Sequence, residues 1–339
     1  MKKENMRIWI FTAAALICIA LLNTFFISDL KNSQVNIINV ALIFFFGVAG
    51  MYLMLGLGGV LSMCSITMLG LGAFVCGFLN TKMGVPILPA MLAGALASGL
   101  LSLLLGLLLL KLQGPAFVFG TIGVTYIGQS VFQNFAAFTG GPKGTSGIAD
   151  VSLFSHTLAT FKDWFPVLAV LVVLLILLLN RIKQTSFGRG LMAVRDDATA
   201  AYSLGINVYR TKVIVFVLAG LLAGFGGSLY AVHNGTISAS LFTFNTQLKF
   251  IIMLMLGGVM SPIGSLFGTV LVNYLPEIAR FANSYLNMLY GAIIVLLMIF
   301  MPMGLAGIVK EAGTHLRVRL NKRKAAGNKE KEVSENVLP

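Results

Sequence analysis

Four uncharged polar residues recur four apart along one apolar stretch: Thr121, Thr125, Gln129 and Gln133. On a helix they form one stripe, which either lines a path for a polar solute or supplies hydrogen bonds between helices. A second segment combines charge with regular apolar spacing. From Gly188 to Tyr209 the chain reads GRGLMAVRDDATAAYSLGINVY, with Leu191, Val194, Ala198, Ala201 and Leu204 three or four residues apart. The spacing predicts one helix with an apolar face and exposed Arg189, Arg195, Asp196 and Asp197. Gly205 suits the left-handed position that ends such a helix. A helix of this kind either docks into a partner's groove or lies on a membrane surface with its cations near the headgroups.

Other chemistries lack their residues. Ion- or proton-coupled carriers need ionisable groups at membrane depth. Here Lys249 and Glu277 flank short apolar runs, and His156 and His233 fall in or beside loops. The run Gly141, Pro142, Lys143, Gly144, Thr145 resembles a phosphate-binding loop, but Gly144 separates the lysine from the hydroxyl residue that must follow it directly. It is not an ATP site. Cys18, Cys64 and Cys76 lie inside apolar segments without metal-ligand or disulfide-like spacing, so they read as small buried hydrophobes, and no metal site is expected.

The elements that hold these residues follow from composition. The chain of 339 residues is 58% hydrophobic and 10% charged, too apolar for an ordinary water-soluble fold. Clear spans are expected over residues 8–27, 37–56, 59–79, 87–110, 116–138, 164–179, 213–232 and 286–301, each long enough to cross most or all of a bilayer core. Two shorter runs, 250–260 and 263–275, are separated by Ser261 and Pro262 and form either two tight spans or a re-entrant pair. The fold class is therefore all-α, a polytopic transmembrane helical bundle of about ten spans, or eight plus the re-entrant pair. The net charge of +13 does not signal nucleic acid, because the cations sit at the ends of apolar runs. With the N-terminus inside, 18 of the 24 lysines and arginines fall on the cytoplasmic side, which places both termini there. The N-terminal run is too long for a signal-peptide core and reads as an uncleaved first span. Residues 1–309 then form the membrane domain, with an extracytoplasmic loop at 139–163 and a cytoplasmic loop at 181–211. Residues 310–339 form a basic cytoplasmic tail suited to anionic lipid. Pairs of small residues four apart, Gly220 with Gly224, Ala223 with Gly227 and Gly264 with Gly268, predict close helix packing.

Three stretches resemble the permease subunits of branched-chain amino acid ABC importers, specifically the LivM-like type, over nearly the whole chain. They are the inner segment from Ser186 through Asp197, Ala200 and Ala201 to Gly205 and Ile206; the outer loop from Thr139 to Ile148; and Leu256, Gly257 and Gly258 followed by Gly264, Ser265 and Gly268. The resemblance implies a transport subunit, not an enzyme, that imports a small polar solute, most simply a branched-chain amino acid. ATP and Mg would be bound by a separate subunit. Its partners would be a second homologous permease, two cytoplasmic ATPase subunits and an extracytoplasmic substrate-binding protein, all at a bacterial or archaeal cytoplasmic membrane. Gly188, Arg189, Arg195, Asp196, Asp197, Ala200, Ala201 and Gly205 would couple to the ATPase, and Ser62 with the Thr121 stripe would contribute to the path. The third span departs from the family pattern: Gly59 and Ser62 are present, but the usual Gln, second Gly, His and Phe are not. Urea, short amides and nucleosides are therefore alternative cargoes. A passive channel and an ion-coupled carrier are the rival classes.

Overall fold

A computed structural model describes residues 31–278 apart from 113, 150, 154, 155, 158 and 159. The expected spans 8–27 and 286–301, Cys18, both termini and the basic tail lie outside the described residues. In chain order the helices are α1 (Asn32–Met51), continued by a π-helical stretch (Tyr52–Leu57), α2 (Ser65–Met83), α3 (Ile87–Leu109), α4 (Pro115–Asn134) and the single turn α5 (Ala136–Thr139). A 3-10 turn (Gly141–Lys143) leads to the short strands β1 (Thr145–Ser146), β2 (Ser152–Leu153) and β3 (His156–Thr157). Then come α6 (Phe161–Gln184), α7 (Ser186–Asp196), α8 (Ala198–Ser203), α9 (Val208–Asn234), β4 (Thr236–Ile237), a second 3-10 turn (Ala239–Leu241), α10 (Phe244–Gly257) and α11 (Pro262–Ile278). Six of these are long and apolar enough to cross a membrane: Asn32–Leu57, Ser65–Met83, Ile87–Leu109, Pro115–Asn134, Phe161–Gln184 and Val208–Asn234. They match the six expected spans that fall within the described residues.

Helices gain little from apolar burial against one another in lipid, so they associate through close contact and hydrogen bonds. The α2, α3 and α9 helices do this with small residues. A Cβ on Gly72 would lie 2.6 Å from the Gly224 Cα, and one on Gly94 would lie 2.5 Å from the Gly72 carbonyl oxygen. The space is used for hydrogen bonds that tie the helices together. Ser98 donates to the Met68 carbonyl at 2.8 Å, and Ser228 reaches the Gly72 and Met91 carbonyls at 3.1 and 3.2 Å. The expected Gly220/Gly224 and Ala223/Gly227 pairs lie in this contact, and Gly268 meets α10 in the same manner. On the opposite face of α3, Leu88, Leu92, Leu96, Leu100, Leu104 and Leu108 stand exposed at intervals of four, as lipid-facing side chains do.

Two helix starts differ from the expected bounds. Helix α2 begins at Ser65, not at Gly59, because Gly59 is left-handed (φ 65°) and residues 60–64 are not helical. The backbone this leaves open is satisfied from other elements: Gln247, fully buried, accepts from the Ile66 amide at 2.8 Å. Non-helical backbone at such depth is tolerated only when protein shields it. Helix α10 begins at Phe244, earlier than the expected run at 250, and follows an irregular stretch in which buried Phe242 packs on Phe74 and Phe132, with ring centroids 5.5 and 5.6 Å apart. At 14 residues α10 spans about 21 Å, short of a crossing by itself. With that stretch it runs from the end of the bundle carrying β4 to the end carrying α7. There a turn at Gly258–Ser261 leads into α11, which packs closely back against it, Gly257 lying on Gly264 and Ser265. The pair is thus two packed helices joined by a tight turn.

The glycine-rich start of the expected outer loop is held by turns and a strand pair. Strand β1 pairs antiparallel with β4, Thr145 opposite Ile237 and Ser146 opposite Thr236, and β2 pairs with β3. Gly144 is left-handed, and a Cβ there would lie 3.0 Å from the Ile237 carbonyl carbon, so no larger residue allows the ribbon to form against β4. Thr139 secures the preceding turn by donating to the Phe132 carbonyl at 2.8 Å.

Candidate coupling surface and membrane pathway

The expected single helix over residues 188–204 is two helices. Asp197 is extended (φ −153°, ψ 110°) and its Oδ1 accepts from the Thr199 and Ala200 amides at 2.8 and 3.0 Å, so it caps α8 and ends α7. Aspartate makes this local bond more readily than it continues a helix. The apolar stripe therefore does not form one outward face. Leu191 (0% exposed), Val194 (3%) and Ala201 (1%) all turn inward onto the bundle, whereas Ala198 and Leu204 are exposed. Gly205 is left-handed (φ 82°), and the Ile206 amide returns to the Ala201 carbonyl at 3.1 Å, closing α8 as expected.

The eight expected coupling residues divide into internal and surface groups. Gly188 serves the turn between α6 and α7: a Cβ would lie 2.9 Å from the Lys183 Cα, and its amide donates to the N-cap Thr185 hydroxyl at 3.1 Å. Arg189 folds back onto the Gln184 carbonyl at 2.6 Å. Arg195, expected to be exposed, instead reaches inward: its Nη1 donates to the Gly56 carbonyl at 2.7 Å and lies against Met260 Sδ. Asp196, Asp197, Ala200 and Gly205 remain on the surface, while Ala201 is buried. Tyr202 (72% exposed), which periodicity missed, and Leu204 (79%), which it placed on the apolar stripe, complete that surface. Leu204 leaves the buried stripe because the helix is broken at Asp197.

The expected path residues likewise separate. Thr121 and Thr125 are fully buried and bind the interrupted segment before α2: the Met63 amide donates to Thr121 Oγ1 at 3.1 Å, and Thr125 Oγ1 donates to the Met63 carbonyl. Ser62 is buried beside them, its hydroxyl 3.2 Å from Cys64 Sγ. Thr121, Thr125 and the Met63 backbone form one structural knot. Gln129 and Gln133, one and two turns further along α4, are half-buried and stand beside exposed Tyr126 and Ser130. Tyr126 stacks on Phe244 at the start of α10, centroids 5.4 Å apart. The half of α4 beyond Thr125 thus exposes a mixed face, with Ile127 and Val131 beside these polar residues. Cys64 and Cys76 are buried free thiols, as expected. At the other end of the bundle His233 is buried, 3.2 Å from Asn39 Nδ2, which also donates to the Phe161 carbonyl. Asn39 thereby joins α1, α6 and α9.

Comparison with known proteins agrees with this architecture. The family model described as branched-chain amino acid transport system / permease component matches residues 33–302. The high-affinity branched-chain amino acid transport system permease protein LivM of Salmonella typhimurium is 29% identical over 314 residues, covering 86% of this chain and 73% of that protein. LivM of Escherichia coli is 28% identical over the same coverage. The permease protein LivH of Escherichia coli is 24% identical over 196 residues, 54% of this chain and 63% of that protein. No solved structure matches the chain. With a multi-pass helical bundle and a family match over most of its length, the chain belongs to the branched-chain amino acid transport system permease family.

Proposed function

We propose that this chain is the membrane-spanning permease subunit of an ATP-driven importer of branched-chain amino acids, and that α8 is the surface on which an ATPase subunit acts. The observation that carries the coupling role is the pair Tyr202 and Leu204, both largely exposed beside Asp196 and Asp197. Large apolar side chains held out on a capped helix, rimmed by charge, suit a protein groove better than open water. The bundle crosses a bacterial or archaeal cytoplasmic membrane about ten times, with both termini and α7–α8 inside and the β1–β4 ribbon outside. The lysine and arginine bias supports that orientation. A second homologous permease, two ATPase subunits holding ATP and Mg, and an extracytoplasmic binding protein complete the assembly. Gln129 and Gln133 face the path, and the basic tail meets anionic lipid.

The test replaces Tyr202 and Leu204 with alanine in the assembled transporter. Hot-spot contacts of this size carry about 2 kcal/mol or more, so ATP-dependent uptake falls by about tenfold or more while membrane insertion is unchanged. Uptake at the unmodified rate rejects docking at α8. Uptake by this chain alone in liposomes, without ATP, would instead identify a channel. The assembled transporter in proteoliposomes, supplied with binding protein and leucine, urea or a nucleoside in turn, identifies the cargo.

A further inference from the structure

The side chain of Arg195 stands where three separate elements of the bundle meet. Its Nη1 donates to the carbonyl of Gly56, in the last turn of the π-helical end of α1, and touches Met260 in the turn between α10 and α11. Gly59 begins the irregular run into α2 in a left-handed conformation, and a Cβ there would lie 2.7 Å from the Arg195 Cγ. Gly59 therefore supplies both the turn and the room for the arginine. The last carbonyls of a helix lack internal donors and attract cations, and a guanidinium meets such a carbonyl while its stem packs on the neighbouring backbone.

The two segments pinned by Arg195 also meet again deeper in the bundle. The run leaving Gly59 is held to α4 through Met63, Thr121 and Thr125. Where it becomes α2, the Ile66 amide donates to Gln247 of α10, the helix whose other end carries the Met260 turn. A continuous set of hydrogen bonds and backbone contacts therefore runs from α7 to the interrupted segment and on to the face of α4. It passes through the π-helical end of α1 and the non-helical residues before α2, where the backbone is not locked into a continuous α-helical ladder.

We propose that Arg195 is a positioning residue for energy coupling: it transmits displacement of α7 and α8 into the α1–α2 break, and through Met63 into α4. This rests on α8 being the surface on which the ATPase acts, and it assigns Arg195 a role inside the permease, not in the interface.

The experiment uses the whole transporter in proteoliposomes, reading binding-protein-stimulated ATP hydrolysis and uptake together. Arg195→Gln should leave assembly intact and hydrolysis within about twofold, while uptake per ATP falls about tenfold, the range of a typical coupling energy. Loss of ATPase association, as expected for the Tyr202 and Leu204 substitutions, would make Arg195 an interface or folding residue and overturn the proposal. So would uptake per ATP at the unmodified value. If the Tyr202 and Leu204 substitutions change nothing, the docking assignment fails independently. A second variant places cysteines at 195 and 260, with Cys18, Cys64 and Cys76 replaced by alanine. It should be uncoupled when free, regain uptake per ATP when joined by a short reducible bifunctional reagent, and lose it again on reduction. Reagent-independent uptake, or no recovery on joining, would count against a mechanical link.

Discussion

Thr121 and Thr125 share a helical stripe with Gln129 and Gln133, yet the two halves meet different surroundings. The threonines spend their hydroxyls on the Met63 backbone, 58 and 62 residues away, whereas the glutamines are half-buried beside exposed positions. Replacing Thr125 with valine keeps the shape but strands the Met63 carbonyl. It should cost about 1 kcal/mol, a figure held down by the modest worth of hydrogen bonds inside membranes. In detergent the thermal midpoint should fall by roughly 2 °C or more, while Gln133→Leu should leave it nearly unchanged and reduce uptake instead. Equal loss of stability in both variants would remove the distinction between knot and path. The spacing of four was visible in the sequence; its division was not. Nothing local marks Met63 as a residue whose backbone needs an outside partner, and Gln247 carries no signal at all, since its role depends on where α2 begins.

At the scale of elements, apolar runs locate crossings but do not report whether the helix within them is continuous. Residues 60–64 are at least as apolar as the helix that follows, and only Gly58 and Gly59 hint at a break. The same holds for α7 and α8, where apolar spacing continued past Asp197 although the aspartate caps a new helix. Small-residue spacing was the better guide, since it predicted the α9 contacts that the structure contains. That contact can be tested directly. Gly72→Val would force side-chain atoms into the Gly224 backbone, and overpacking of this kind typically costs about 1–3 kcal/mol. A methyl group added at Gly123, on the exposed face of α4, would have no atom within 4 Å, so Gly123→Ala should be neutral or slightly stabilising. Thermal unfolding in detergent compares the two; equal midpoints would mean that α2 and α9 are not in contact.

For the whole molecule, membrane residence and the family assignment were legible because composition and motifs are properties of the chain, whereas sidedness is a relation between the chain and its two aqueous phases. The charge bias links them, and it makes opposite predictions for two exposed sites. Lys143 lies in the ribbon end of the bundle, within a 3-10 turn, and Ser203 at the end of α8. Both are exposed, and the native thiols Cys64 and Cys76 are buried, so single cysteines introduced at 143 or 203 stand out against a low background once Cys18 is replaced. A membrane-impermeant maleimide added to intact cells, or to spheroplasts where an outer membrane intervenes, should label Lys143→Cys. It should label Ser203→Cys only after the membrane is opened. The reverse pattern would invert the bundle, placing α8 where no ATP-fuelled subunit can reach it. Bound ATPase subunits add a further expectation: they should protect position 203 in opened membranes and leave position 143 reactive, because docking covers only the α8 end.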